Sequence, residues 1–279
     1  MVATKRSDVD MSGKTCLVTG AGSAVGCEVS KNLAMMGAVV ILASHDFGAL
    51  EETRSAIVGA RPSAQLDLHT VDFGKRLSIK DFASVILERH RRLDVVVNVV
   101  HRSSQTKVEA DLGTELTWMA NVLGPYMVLD RLLELLKSSA PARIVQVVSP
   151  YAGGLDLSDT DFDTRSYSGV KAYRQSMHAA RLLAYGLNTN YGIHGLSANA
   201  CTPGVVRGDP GANFVANLMA VAPAKAAETP TWLASSPEVA GQTGKFFVNK
   251  KAVKDKLRDA SDVQTLWHTL GVQANQAML

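Results

Sequence analysis

The chain has 279 residues, 46% hydrophobic and 20% charged, which predicts a packed globular core and excludes a disordered or fibrous chain. A formal net charge of +3 is too small to argue for a nucleic-acid partner, and the cluster Arg89-His90-Arg91-Arg92 reads as cations at a helix C-terminus. Cys16, Cys27 and Cys201 form no CxxC pair, no apolar stretch reaches the ~18 residues of a membrane span, and Asp8 and Asp10 stand where a leader would be apolar. A cytoplasmic setting with no membrane span is therefore expected.

Strand-like and helix-like patterns alternate along the chain. Residues 14–19 form an apolar run, 24–36 follow with helical spacing, and Gly37 stands where a helix would end. Residues 38–43 make a second strand, 48–59 a helix, 65–71 a weaker strand and 76–92 a helix. The run 94–100 is a strand, 113–138 one long helix, 143–148 a strand and 167–187 a helix, with last strands over 194–201 and 245–248. Val/Ile/Leu runs without alternation indicate strands buried on both faces. The whole predicts an α/β fold: a single doubly wound parallel sheet of about seven strands, Rossmann-like, with helices on both faces. Residues 1–10 read as a flexible tail and 11–279 as one domain. The segment 204–236, broken by Gly204, Gly208, Pro210, Pro223 and Pro230, reads as a substrate lid or, more plainly, a surface insertion.

The first strand runs into Thr19-Gly20-Ala21-Gly22-Ser23-Ala24-Val25-Gly26 and then into a helix. That context aims backbone N–H groups and a helix N-terminus at a pyrophosphate, so Thr19, Gly20, Gly22, Ser23, Val25 and Gly26 are expected at a dinucleotide. Tyr167 and Lys171, four apart at the start of a later helix, lie on one face and can act as a unit. A tyrosine of ordinary pKa ~10 is a poor base at neutral pH, and the ammonium and the helix N-terminus would lower it. A carboxylate ending the second strand would repel a 2′-phosphate, and Ser44 stands there instead. NADP(H) is therefore favoured, with Ser44 and His45 as phosphate contacts; Asp46 and the lack of a nearby Arg or Lys keep NAD(H) open. Asp159, Asp161 and Asp163 imitate a calcium loop, but Thr164 replaces its glycine and Val170 its glutamate, so no metal is expected.

Together these motifs resemble the short-chain dehydrogenase/reductase family over nearly the whole chain. Thr19–Gly26 resembles its TGxxxGxG, with Ala24 at the middle glycine. The resemblance places Asp72, with Phe73 beside it, at the adenine. It matches the strand 93–98 to the one ending in NNAG, putting Asn98 and Val99 at the cofactor. Asn121, Ser149, Tyr167 and Lys171 match the catalytic tetrad, and Pro203, Gly204 and Val206 the segment holding the carboxamide. The stretches 139–145 and 244–248, and the 18-residue step from Ser149 to Tyr167, resemble the retinol-dehydrogenase-like branch, whose frequent N-terminal anchor has no counterpart here. Two positions depart from the pattern: His101 replaces the NNAG glycine, and Ala24 adds a methyl near the pyrophosphate.

The resemblance implies hydride transfer between NADP(H) and an alcohol/carbonyl pair. Tyr167 would be general acid/base, Ser149 would hold the substrate oxygen, Lys171 would lower the tyrosine pKa and bind the ribose, and Asn121 would anchor a relay water. Phe214, Leu218, Met219, Val221 and Trp232 favour an apolar substrate, or pack the lid. The alternative is a dinucleotide-binding sensor or scaffold that has lost catalysis, as His101 and Ala24 would allow. The helices over 113–138 and 167–187, the second with Ala172, Met177, Ala179, Ala180, Leu182 and Leu183, would join subunits into a dimer or tetramer, unless that stripe is core.

Overall fold

The computed structural model describes residues 9–207, 218 and 220–276. Eight strands form one sheet in the order β3-β2-β1-β4-β5-β6-β7-β8. They are β1 (Thr15–Thr19), β2 (Val39–Ser44), β3 (Gln65–Thr70), β4 (Val95–Asn98), β5 (Ala142–Val147), β6 (Leu196–Thr202), β7 (Phe246–Val248) and β8 (Lys251–Val253). All neighbours pair in parallel except β7 and β8. The longer helices are α1 (Ala24–Met35), α2 (Phe47–Ala60), α3 (Arg76–Arg89), α4 (Gly124–Arg131), α5 (Gly169–Tyr191), α6 (Glu228–Ser235) and α7 (Ala260–Gln276).

The continuous apolar runs have a direct cause. Leu17, Ile41, Val96 and Ile144 face one core with residues of α3, α4, α5 and α7, while their neighbours Val18, Val40, Val97 and Val145 face a second core with α1, α2 and α6. Strand order reverses between β1 and β4, which opens a crevice at their C-terminal ends. Beneath it, paired residues of three strands form a buried polar ladder. Thr19 Oγ1 donates to Asn98 Oδ1 at 3.0 Å, and Asn98 Nδ2 donates to Gln146 Oε1 at 3.2 Å.

Three expectations need correction. The helix expected over 113–138 is broken: Leu116–Trp118 runs into a π-helical turn, Met119–Leu123, before α4 and a last piece, Leu133–Ser138. Pro125, which lacks an N–H, sits in the first turn of α4, and π-turns mark places where a side chain is re-aimed. The turn carries Asn121. Next, α5 starts at Gly169 because Ser168 caps it through Lys171 N; Tyr167 precedes the cap. Finally, β8 and α7 lie beyond the last expected strand; Asn249 and Lys250, at φ 48° and 62°, turn the hairpin between β7 and β8.

In the segment 204–236, Phe214 and Met219 lie outside the described residues, and Leu218 is exposed. Its second half is α6, which packs on the sheet and whose end is held by Arg143, NH1 donating to Ser236 O at 2.8 Å. The apolar stripe on α5 is buried within the monomer: Ala179, Leu182 and Leu183 share a core with Leu266 and Leu270 of α7. It is core and gives no support to self-association. The N-terminal tail through Asp8 lies outside the described residues.

Candidate active site

The loop after β1 is built by two glycines. Gly20, at φ +67°, lies so close to Val99 that a Cβ would stand 2.8 Å from its carbonyl oxygen, and a Cβ on Gly26 would meet Gly20 O at 2.1 Å. Ser23 caps α1, accepting from Gly26 N at 3.1 Å and donating to Gly20 O at 2.8 Å. No acidic residue occupies the first turn of α1, so its positive end stays available to an anion.

That helix end opens onto a cleft of about 510 Å³. Of the expected cofactor residues, Gly20, Gly22, Ser23, Val25, Ser44, His45, Phe73, Val99, Pro203 and Val206 line it. The others have structural duties. Gly26 lets the turn close, and Thr19 and Asn98 belong to the polar ladder below. Asp72 accepts from Gly74 N at 2.9 Å and from Arg102 NH1 at 3.3 Å, and Gly204 N donates to Thr202 Oγ1 at 3.2 Å. Ala24, at the first position of α1, lines the cleft without blocking it. The residues fit a dinucleotide: a Cβ on Gly22 would stand 2.8 Å from that of Ala49 and close the loop. Asp46 turns its carboxylate onto Ala49 N at 3.1 Å, capping α2.

Tyr167 does not line this cleft. Its hydroxyl donates to Glu115 Oε1 at 3.0 Å, with Ser104 O at 3.3 Å, and its ring packs edge-on against Phe162. Burial first, and then the Glu115 charge, push its pKa up to about 12, the reverse of what a base needs. Lys171 is exposed in the first turn of α5. The i,i+4 expectation fails because the Ser168 cap leaves Tyr167 outside the helix.

The tyrosine in the cleft is Tyr173, 1% exposed, one turn further along α5. Its hydroxyl lies 3.4 Å from His101 Nδ1, and the rings meet edge-on. His101 Nε2 lies 2.9 Å from Val147 O. A carbonyl only accepts, so Nε2 carries the proton and Nδ1 receives the Tyr173 hydroxyl. Four residues after Tyr173 stands Met177, buried against Val148 and Ala180. Asn121 uses its amide to brace the chain at Arg102, accepting from its N–H at 2.7 Å and donating to its carbonyl at 2.7 Å and to Ser176 Oγ at 3.0 Å. Ser149, buried just after β5, accepts from Tyr151 N at 3.1 Å. Sequence reasoning missed Tyr173, Arg102 and Arg207 in the cleft wall, and singled out His101 only as a departure from the pattern. Reading Ser168 as a cap would have moved the search for a helical tyrosine to Tyr173.

A family model described as short chain dehydrogenase matches residues 14–217. The chain belongs to the short-chain dehydrogenase family. It is therefore an NAD(P)-dependent oxidoreductase. Human retinol dehydrogenase 13 is 30% identical across 94% of this chain and 84% of its own length, and human retinol dehydrogenase 14 is 30% identical across 92% and 85%. Among solved structures, an uncharacterised protein of Mycobacterium paratuberculosis matches with a TM-score of 0.79 at 23% identity, covering 99% of this chain and 98% of that one. Pseudomonas aeruginosa RhlG, solved as an NADP active-site complex, matches with a TM-score of 0.66 at 20% identity, covering 85% and 95%. Among the described residues of this short-chain dehydrogenase, no helix is long and apolar enough to cross a membrane.

Proposed function

We propose that this enzyme uses NADP(H) and that Tyr173 exchanges a proton with the oxygen of an alcohol/carbonyl substrate. The observation that carries the reading is the place of Tyr173 in the Gly-rich cleft with His101 Nδ1 at its hydroxyl. The bound nicotinamide supplies or takes the hydride. Gly20, Gly22 and the first turn of α1 would hold the pyrophosphate, Ser44 and His45 the 2′-phosphate, and Val99, Pro203 and Val206 the nicotinamide half.

During oxidation the substrate hydroxyl gives its proton to Tyr173 Oη as the Tyr173 proton passes to His101 Nδ1; reduction runs the transfers backwards. The Val147 carbonyl fixes the tautomer that leaves Nδ1 able to accept. An imidazole nitrogen that accepts the tyrosine proton can assist the tyrosine as a lysine would otherwise do by charge. Ser149, just after β5, would hold the substrate oxygen by a hydrogen bond. Val100, Val147 and Val206 in the cleft wall, and the named activity of the relatives, support an apolar alcohol or aldehyde.

Fluorescence titration with NADPH and NADH, followed by NADPH oxidation with all-trans-retinal and shorter aldehydes, tests this reading. Tight NADPH binding, weakened about tenfold in His45→Asp, is expected, a loss of about 1.4 kcal/mol. Equal affinity for both dinucleotides would overturn the 2′-phosphate assignment. Met177 favours a second reading, binding without turnover, because no ammonium stands four residues after Tyr173. NADPH binding with no oxidation by any aldehyde would select it.

A further inference from the structure

Away from the cleft, three donors converge at the edge of the sheet. Asp67 and His69 are two apart on the edge strand β3 and so share a face; His90 follows the last turn of α3. His69 Nε2 lies 2.9 Å from Asp67 Oδ2, and His90 Nε2 lies 3.0 Å from the same oxygen. All three ligating atoms fall within 4.8 Å of one another.

Hydrogen bonding accounts for only part of this arrangement. His90 bonds Asp67 Oδ2, whereas His69 Nε2, buried 2.9 Å from the same oxygen, makes no hydrogen bond of regular geometry. A buried imidazole nitrogen left unpaired is costly. Donors 2.0–2.1 Å from a tetrahedral zinc stand about 3.3 Å apart, close to the 2.9 and 3.0 Å from the two histidines to Asp67 Oδ2. Arg89 touches the other oxygen, Oδ1, at 3.3 Å, and its side chain is 60% exposed, leaving it room to turn away.

We infer that Asp67, His69 and His90 bind a divalent transition metal, zinc by the chemistry of the donor set, with water completing the coordination. Two neutral imidazoles and a carboxylate form a borderline donor set, and three protein ligands leave an open position. None of the three residues lines the nucleotide cleft. The ion would tie the end of α3 to an edge strand, so its effect is on stability rather than on hydride transfer.

The test uses the full-length protein stripped with chelator and titrated with zinc chloride by calorimetry and with cobalt chloride by visible absorption. One equivalent should bind with micromolar or tighter affinity, cobalt should develop tetrahedral bands, and zinc should raise the melting temperature. His69→Gln and His90→Gln, each checked for folding by circular dichroism, should weaken zinc binding at least tenfold and abolish the melting shift. NADPH affinity should stay unchanged in both, which separates this proposal from the reading of the cleft. Absence of saturable binding, binding only at millimolar zinc, or wild-type affinity in both variants would overturn it. Should one variant misfold, the other decides.

Discussion

The Tyr173 hydroxyl lies 3.4 Å from His101 Nδ1, and the opposite nitrogen of the same ring is held by the Val147 carbonyl at 2.9 Å. The histidine that departs from the NNAG pattern is thus joined to the tyrosine of the cleft. His101→Gln should slow turnover by about 10²- to 10⁴-fold, the usual contribution of a proton-transfer partner, while NADPH still binds. Steady-state kinetics of both proteins beside an NADPH titration decide it.

The two tyrosines should separate cleanly by mutation. Tyr173→Phe should remove most turnover and leave dinucleotide affinity nearly intact. Tyr167→Phe should keep turnover but cost about 1–3 kcal/mol of stability, because buried Glu115 loses a donor to Oε1. Urea denaturation and NADPH-oxidation assays on both variants check the pair; a Tyr167→Phe enzyme that is stable but inactive would restore Tyr167 to the chemistry.

Near β7, Asp255 accepts from Arg181 Nε at 2.6 Å and from Tyr185 Oη at 2.5 Å, and the Arg181 guanidinium stacks over Phe246. The side chains of Arg181 and Asp255 are 9% and 4% exposed. Asp255→Ala should therefore destabilise the protein by about 3–5 kcal/mol, since it strands a buried guanidinium and a buried phenol. A shift in the urea midpoint with an unchanged slope would show it.

Acid should weaken the hold of two carboxylates, Asp94 just before β4 and Asp159 in the loop after β5. Burial opposes the charge of Asp94, but Arg92, Thr15 N and Lys14 hold its carboxyl below the ordinary 3.8. Thr164, the backbone at Asp163 and Arg165 likewise outweigh burial and hold Asp159 down to about 2. A folded pKa below the unfolded one stabilises the fold above the unfolded value, and that stability is lost as pH falls through the folded value. The melting temperature should thus drop below about pH 4, and Asp94→Asn should start lower and fall less steeply. Calorimetry from pH 7 to pH 2.5 measures both slopes.

The parallel sheet, its switch point and the Gly-rich loop were legible because each follows from local rules: two-sided burial, strand–helix alternation and glycine geometry. The 204–236 segment was less so, since α6 is made helical by packing on the sheet rather than by a strong pattern of its own. The position of Tyr167 outside the helix was not legible, because a four-residue spacing says nothing about where a helix begins. Ser168 sets that start, moves Tyr167 to Glu115 and brings Tyr173 to the cleft. His101 was visible as a departure, but its partner is 72 residues away and no local pattern joins them.

The face of α5 that buries Ala179, Leu182 and Leu183 is covered by α7, which follows it across the whole of β6, α6 and the last hairpin. During synthesis that face leaves the ribosome well before its cover exists. The nascent chain must carry an exposed aliphatic surface until α7 arrives, so productive folding waits for a late element, and chaperone capture should fall within that interval.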